Sequence, residues 1–465
     1  MRRIAITAVS LLSLFLILFI WEYQRRRGFY WYDVQQDYEF NFAGDKFTRL
    51  PVQISSDGFV CPEVDGAWDT ALLRITVSSG LSALWFEPSI AIESGINNPK
   101  SRQYFERRAR GVRYLNLGSL LGKERCAGNH VRMEGRYLSW ERQTGELILF
   151  RNAPSPTTRI LVIAPHPDDA EIAAFGLYAF RDASIVTITA GNYVNGSYKH
   201  IYSDLGKQDL LKGQLRTWDS ITVPMWGGVP PSRSLNLGYF TETLKSMHST
   251  PGTLVGNRIT GADDVNVFRR WNVTTLLDSR AAVSTWESLV EDLVFLIREL
   301  RPEIIVSPHP ALDANSDHKF TTIALLDALE KVGDGKSALY LYTNHHVYTE
   351  YFPFGPADAL VTLPPWFDSS LRFGGIYSQP LDQTRQSEKL FALDAMHDLR
   401  SAPRRFLGQP TMRFLDRLVV VISELWREPF GTYSYYRRAV RPNELFFVYS
   451  PDERSALRAY VEKLY

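Results

Sequence analysis

Cysteine is scarce in this chain: Cys61 and Cys126 are the only two among 465 residues. Two cysteines build no disulfide framework, and without a CxxC pair they make no zinc site. They are either free and buried, or joined to each other if the body sits in an oxidising compartment. An excess of one charge is also missing. Lys plus Arg number 52 against 51 Asp plus Glu, so no electrostatic footprint for nucleic acid exists. Basic runs such as Arg107-Arg108 read as solvated surface. Long apolar runs are absent except at the start. Ile4 to Trp21 is eighteen residues without a charge, between Arg2-Arg3 and Arg25-Arg26-Arg27. About 17–25 apolar residues span a bilayer as a helix, and no small-x-small cleavage site follows this run. It reads as a single-pass anchor over 1–21, with Trp21 and Tyr23 at the interface. The flanking arginines nearly tie in the positive-inside count. The acidic residues that follow dilute the distal charge and favour an extracytoplasmic (periplasmic) body.

Residues 22–35 read as a juxtamembrane linker, and 36–152 as a small β-sandwich-like accessory domain. Ala71 to Val77, Arg113 to Leu117 and Val131 to Trp140 are short, partly alternating runs. Gln143-Thr144-Gly145 separates two of them as a hairpin turn would. Trp85, Phe86 and Trp140 read as core, with an exposed carbohydrate-binding face as the alternative. No internal repeat is present. Ala153-Pro154-Ser155-Pro156 marks a boundary, and 157–465 form a second domain in which strand and helix patterns alternate. Ile160 to Ala164, Ser184 to Ala190 and Glu303 to Ser307 are buried-strand runs. Ala170 to Phe180, Leu205 to Ser220, Thr285 to Leu300 and His318 to Val332 have helical spacing. This pattern predicts an α/β, doubly wound, mostly parallel sheet of Rossmann-like type. The polar, Gly-rich stretch from Tyr193 to Trp271 reads as loops around the site.

Two polar clusters follow buried strands. One is Pro165-His166-Pro167-Asp168-Asp169. The other runs from His309-Pro310 through Asp313, Asn315 and Asp317 to His318. Parallel strands aim such loops at one edge of the sheet, where α/β folds bind their ligands. His166, Asp169 and His318 then converge as two imidazoles and one carboxylate. That donor set leaves a metal with an open position, as catalytic zinc requires. His309 or Asp313 can help or can brace His318 from behind. His345-His346 can line the pocket, although ordinary surface or core placement is the plainer expectation.

These motifs resemble the PIG-L/LmbE-type family of zinc-dependent deacetylases, which act on N-acetylglucosamine-type sugars. The resemblance covers roughly 158–350, and Lys389 to His397 and Asn443 to Phe447 are similar to the closing segments of such proteins. It implies Zn2+ held by His166, Asp169 and His318, Asp168 as general base, and Arg216 as a substrate-binding residue. It also implies a glycan or glycolipid substrate. Two positions depart from the family. Asn315 stands where a histidine is common; an amide donates a hydrogen bond to an oxyanion but shuttles no proton. Ala170 stands where glutamate is frequent, with Glu171 one position later. Two alternatives are an amidase for another acylated amino-sugar conjugate and a carbohydrate-binding protein with a degenerate site. A two-metal phosphoesterase would need further carboxylates.

Overall fold

The computed structural model describes residue 13 and residues 30–465 apart from 43–46, 64–67, 95–100, 119–127, 195–197, 200, 398 and 400–434. The site stands on one seven-stranded sheet. Its elements in chain order are β1 (Ile160–Ala164), α1 (Asp169–Tyr178), β2 (Ala183–Thr189), α2 (Leu205–Thr222), β3 (Ser234–Tyr239), α3 (Trp286–Leu300) and β4 (Ile304–Pro308). There follow α4 (Ser316–Val332), β5 (Ala338–Tyr342), β6 (Gly375–Pro380), α5 (Gln383–Ala395), α6 (Tyr435–Ala439) and β7 (Asn443–Tyr449). The spatial order is β3-β2-β1-β4-β5-β7-β6. The first five strands are parallel, and β7 runs antiparallel to both β5 and β6.

The continuous apolar runs of the inner strands arise because both faces are covered. Leu161, Ile163, Val186 and Ile305 enter one core with helices α3 and α4. Ile160, Val162, Ile185 and Val306 enter another with α1. A buried ion pair fixes α1 in place. The Glu444 carboxylate on β7 accepts from Gly176 N at 2.8 Å, Leu177 N at 3.0 Å and Lys389 Nζ at 2.7 Å. Removing one partner of such a buried pair costs about 3–5 kcal/mol.

Upstream of this sheet lie two antiparallel sheets, of five and four strands. They share a core that includes Leu73, Leu147 and Leu149 from one and Ile90, Ile92 and Val131 from the other. The period-two pleat sends the alternate residues Leu72, Ile148 and Phe150 the other way, into the core of the α/β region. The β region is therefore fused to the rest through continuous packing. Cys61 is disulfide-bonded, and the chain's other cysteine is Cys126. Phe86 is exposed rather than core and stacks on Tyr137, with ring centroids 5.1 Å apart.

These findings correct the expected architecture of a doubly wound, mostly parallel sheet behind a transmembrane helix. The chain is mixed α/β, with antiparallel pairing in three of its sheets. Strand direction is not written in a strand's own residues, and antiparallel neighbours such as β5 and β7 need no helical crossover. The single-pass anchor and the extracytoplasmic placement are corrected too. Among the described residues no helix is long and apolar enough to cross a membrane. The run Ile4 to Trp21, Ser13 apart, lies outside the described residues. In the sequence that run is at the short end of the spanning range and is diluted by Thr7, Ser10 and Ser13. The Tyr193 to Trp271 stretch is also more ordered than expected. Besides the expected helix α2, it holds the whole of β3, whose Ser-Leu-Asn-Leu-Gly-Tyr alternation is buried throughout.

Candidate metal centre

The strand order reverses between β1 and β4, and the crevice beyond their carboxyl ends is where such sheets bind ligands. Both polar loops open there. Oδ2 of Asp169 lies 3.2 Å from Nδ1 of His166 and 3.1 Å from Nε2 of His318. The two imidazole nitrogens are 3.3 Å apart. These three atoms thus form a nearly equilateral triangle. Ligands about 2.0–2.1 Å from a tetrahedral zinc are separated by roughly 3.3–3.4 Å, so the donor set fits such an ion without rearrangement.

Each of the three side chains has a polar group behind it. Nδ1 of His318 lies 3.1 Å from Asp313 Oδ2. Nε2 of His166 lies 3.1 Å from Asp317 Oδ2, which also accepts from Glu242 N at 2.6 Å. Oδ1 of Asp169 accepts from Asn344 Nδ2 at 2.7 Å. Asp313 accepts from the backbone of Asn344 and Asn315 as well, so one carboxylate ties the loops after β4 and β5 together. Carboxylates on the outer nitrogen of a ligating histidine fix its tautomer and raise its basicity. For Asp169, burial by itself pushes the carboxyl up. The His318 charge and the imidazole hydrogen bonds outweigh it and hold the carboxyl well below the usual range. For His318, burial opposes protonation, but Asp169 and Asp313 raise it well above an ordinary histidine. The cluster is built to be neutralised by positive charge.

Asp168 faces the same opening from a backbone with φ of 125°. That conformation costs about 1–3 kcal/mol for a residue with a Cβ and marks functional positions. Its carboxylate pairs with Nη2 of Arg216 at 2.9 Å, and the same guanidinium donates to Pro167 O. Gly191, at φ 66°, makes the room: a Cβ there would meet Arg216 Nε at 2.7 Å. Arg216 thus sets the position of Asp168.

Asn315 is the N-cap of α4. Its Oδ1 accepts from Asp317 N at 2.8 Å and His318 N at 3.4 Å, which orients the first turn and with it His318. Asn315→Ala is expected to cost about 1 kcal/mol through loss of the cap. Asn315→Asp keeps the cap and lacks the amide donor. Thermal melts and turnover of the two variants separate capping from oxyanion stabilisation. If Asn315 serves only as a cap, the aspartate variant retains full turnover.

Of the other histidines the sequence offered, only His345 stays near the site, and Tyr435 is a neighbour the sequence did not suggest. His345 sits beside His318, with ring centroids 5.2 Å apart, and its Nδ1 is 3.2 Å from Glu350 Oε2. Tyr435, on α6, lines the same side. Burial pushes its phenol up to about 12, with the Asp168 carboxylate adding to the shift. His309 leaves the site altogether: its Nε2 is 3.1 Å from the Tyr449 hydroxyl, and its ring packs on Phe447. His346 is core, against Tyr348 and Phe352, and its Nε2 has no hydrogen-bond partner. Burial drives its imidazole down to about 3. A histidine depressed in the folded state stabilises above its unfolded pKa of about 6.5 and loses that contribution as pH falls towards 3. His346→Phe is therefore expected to flatten the fall in melting temperature below about pH 6.5. An unchanged acid limb would show that this ring does not carry the dependence.

No family model and no curated relative matches the chain. Solved structures give weak likenesses. GalB, the 4-carboxy-2-hydroxymuconate hydratase from Pseudomonas putida KT2440, is 14% identical over 62% of this chain and 95% of its own, with a TM-score of 0.29. Eiger TNF from S. frugiperda is 8% identical over 26% of this chain and 96% of its own, at 0.13. A family two carbohydrate esterase from Cellvibrio japonicus is 11% identical over 64% and 90%, at 0.14. Scores of this size carry no argument about fold or function.

Proposed function

We propose that the chain is a metal-dependent hydrolase that removes the N-acetyl group from an N-acetylglucosamine-type sugar. The observation that supports it best is the ligand triangle of His166, Asp169 and His318 with a separate outer partner for each side chain, opening beside Asp168. The PIG-L/LmbE resemblance of the two loops supplies the substrate class. Zinc bound there supplies a water of pKa near 7 and polarises an amide carbonyl. The residues of the chain do the rest. Asp168 takes the proton of the attacking water and returns it to the leaving sugar amine. Arg216 holds that carboxylate towards the opening. The Asn315 amide nitrogen is the neutral donor beside the developing oxyanion. Acetate release from N-acetylglucosamine and its oligomers, with and without chelator, tests the reading. Chelator-sensitive release is expected, and the absence of any release from metal-loaded protein would contradict it.

A further inference from the structure

Beside the metal centre stands a row of side chains that the chemistry above does not use. Tyr193 follows the end of β2 and is 40% exposed. The Arg258 guanidinium carbon lies 5.9 Å from the centre of its ring, and Arg258 also pairs with the Glu242 carboxylate. Both ends of this row are tied to the metal centre. Glu242 donates its backbone N–H to Asp317, which holds His166. Tyr193 stands two residues after Gly191, on which Arg216 rests.

The row is held rigidly from below. Asp209, wholly buried on α2, accepts from Asn192 Nδ2 at 2.9 Å and from Asn257 Nδ2 at 2.7 Å. These amides immediately precede Tyr193 and Arg258. Asn192 Oδ1 in turn accepts from Thr241 N at 3.0 Å, next to Glu242. One buried carboxylate thus pins three separate loops, so an aromatic face, a guanidinium and a carboxylate meet at the rim. Such pre-ordering lowers the cost of binding.

We infer that Tyr193, Arg258 and Glu242 form a second sugar subsite. It takes the ring next to the one that is deacetylated. The flat Tyr193 ring meets the C–H face of a pyranose, while Arg258 donates to its hydroxyls and Glu242 accepts from them. The substrate is then an oligomer or polymer of the sugar, not the monosaccharide. This inference rests on the proposed deacetylation for the identity of the neighbouring ring.

The test compares kcat/KM for acetate release from N-acetylglucosamine and from its trimer, with trimer binding measured by calorimetry on the same zinc-loaded protein. Wild type is expected to favour the trimer. Tyr193→Ala is expected to lower the trimer-to-monosaccharide ratio by about tenfold, the worth of one good aromatic contact, and Tyr193→Phe to restore it. A wild type with no preference overturns the subsite, as does a ratio left unchanged by Tyr193→Ala. If no acetate is released from either sugar, the hydrolase reading fails by itself. The calorimetric arm then decides the subsite: weaker trimer binding in Tyr193→Ala upholds it, and equal binding overturns it.

Discussion

Asp168→Asn is expected to lower acetate release by about 10²–10⁴-fold, the usual contribution of a positioned acid–base group. The loss should fall on kcat. Asparagine has nearly the same shape and leaves the three ligand atoms untouched, so zinc content should stay that of wild type. What it cannot do is accept a proton. The pairing of Asp168 with Arg216 at 2.9 Å, between side chains only 15% and 11% exposed, becomes a neutral contact, so the melting temperature is expected to drop as well. Full turnover in Asp168→Asn with zinc bound would remove Asp168 from the role of base.

His318→Ala is expected to do more damage, because it removes a ligand and a buried cationic partner together. In the folded chain His318 stands between the Asp169 and Asp313 carboxylates, 3.1 Å from each. Without it two buried carboxylates face a cavity. Uncompensated buried charge of this kind costs about 3–5 kcal/mol. Turnover should fall to the background rate, and the melting temperature should drop in the same variant. Asp313→Ala provides a graded comparison: it spares the ligands and removes the brace, for which a loss of about 10–100-fold in metal affinity is expected. If His318→Ala loses stability but keeps zinc and turnover, His318 is a core residue and not a ligand.

The convergence of His166, Asp169 and His318 was legible in the sequence because each lies in a local motif. An apolar run such as Ile160 to Ala164, ended by a proline and acidic residues, announces both a buried strand and the polar loop behind it. The loop from His309 to His318 repeats that logic. The cap role of Asn315 was missed, because the helical spacing was read from His318 and the amide was taken for an oxyanion donor alone, although an asparagine ahead of orphan N–H groups is a local signal. What stayed hidden depends on distance in the chain. Asn344 and Glu242 reach the centre from loops, and Tyr435 from α6, segments whose own residues say nothing of metal. The reversed course of β7 between β5 and β6 is invisible in Asn443–Tyr449 taken alone. β3 was lost among polar neighbours because Ser234 and Asn236 interrupt its apolar positions, although the structure buries them too. His309, the most motif-like of the histidines after His166, packs on aromatic rings instead.

Zinc content of the purified protein, measured for wild type, His166→Ala and His318→Ala after dialysis against the free metal, tests the central claim most directly. About one equivalent per chain in wild type, lost in both variants, is the predicted result. A wild type that retains no divalent metal, or variants that retain as much as it does, would contradict the account.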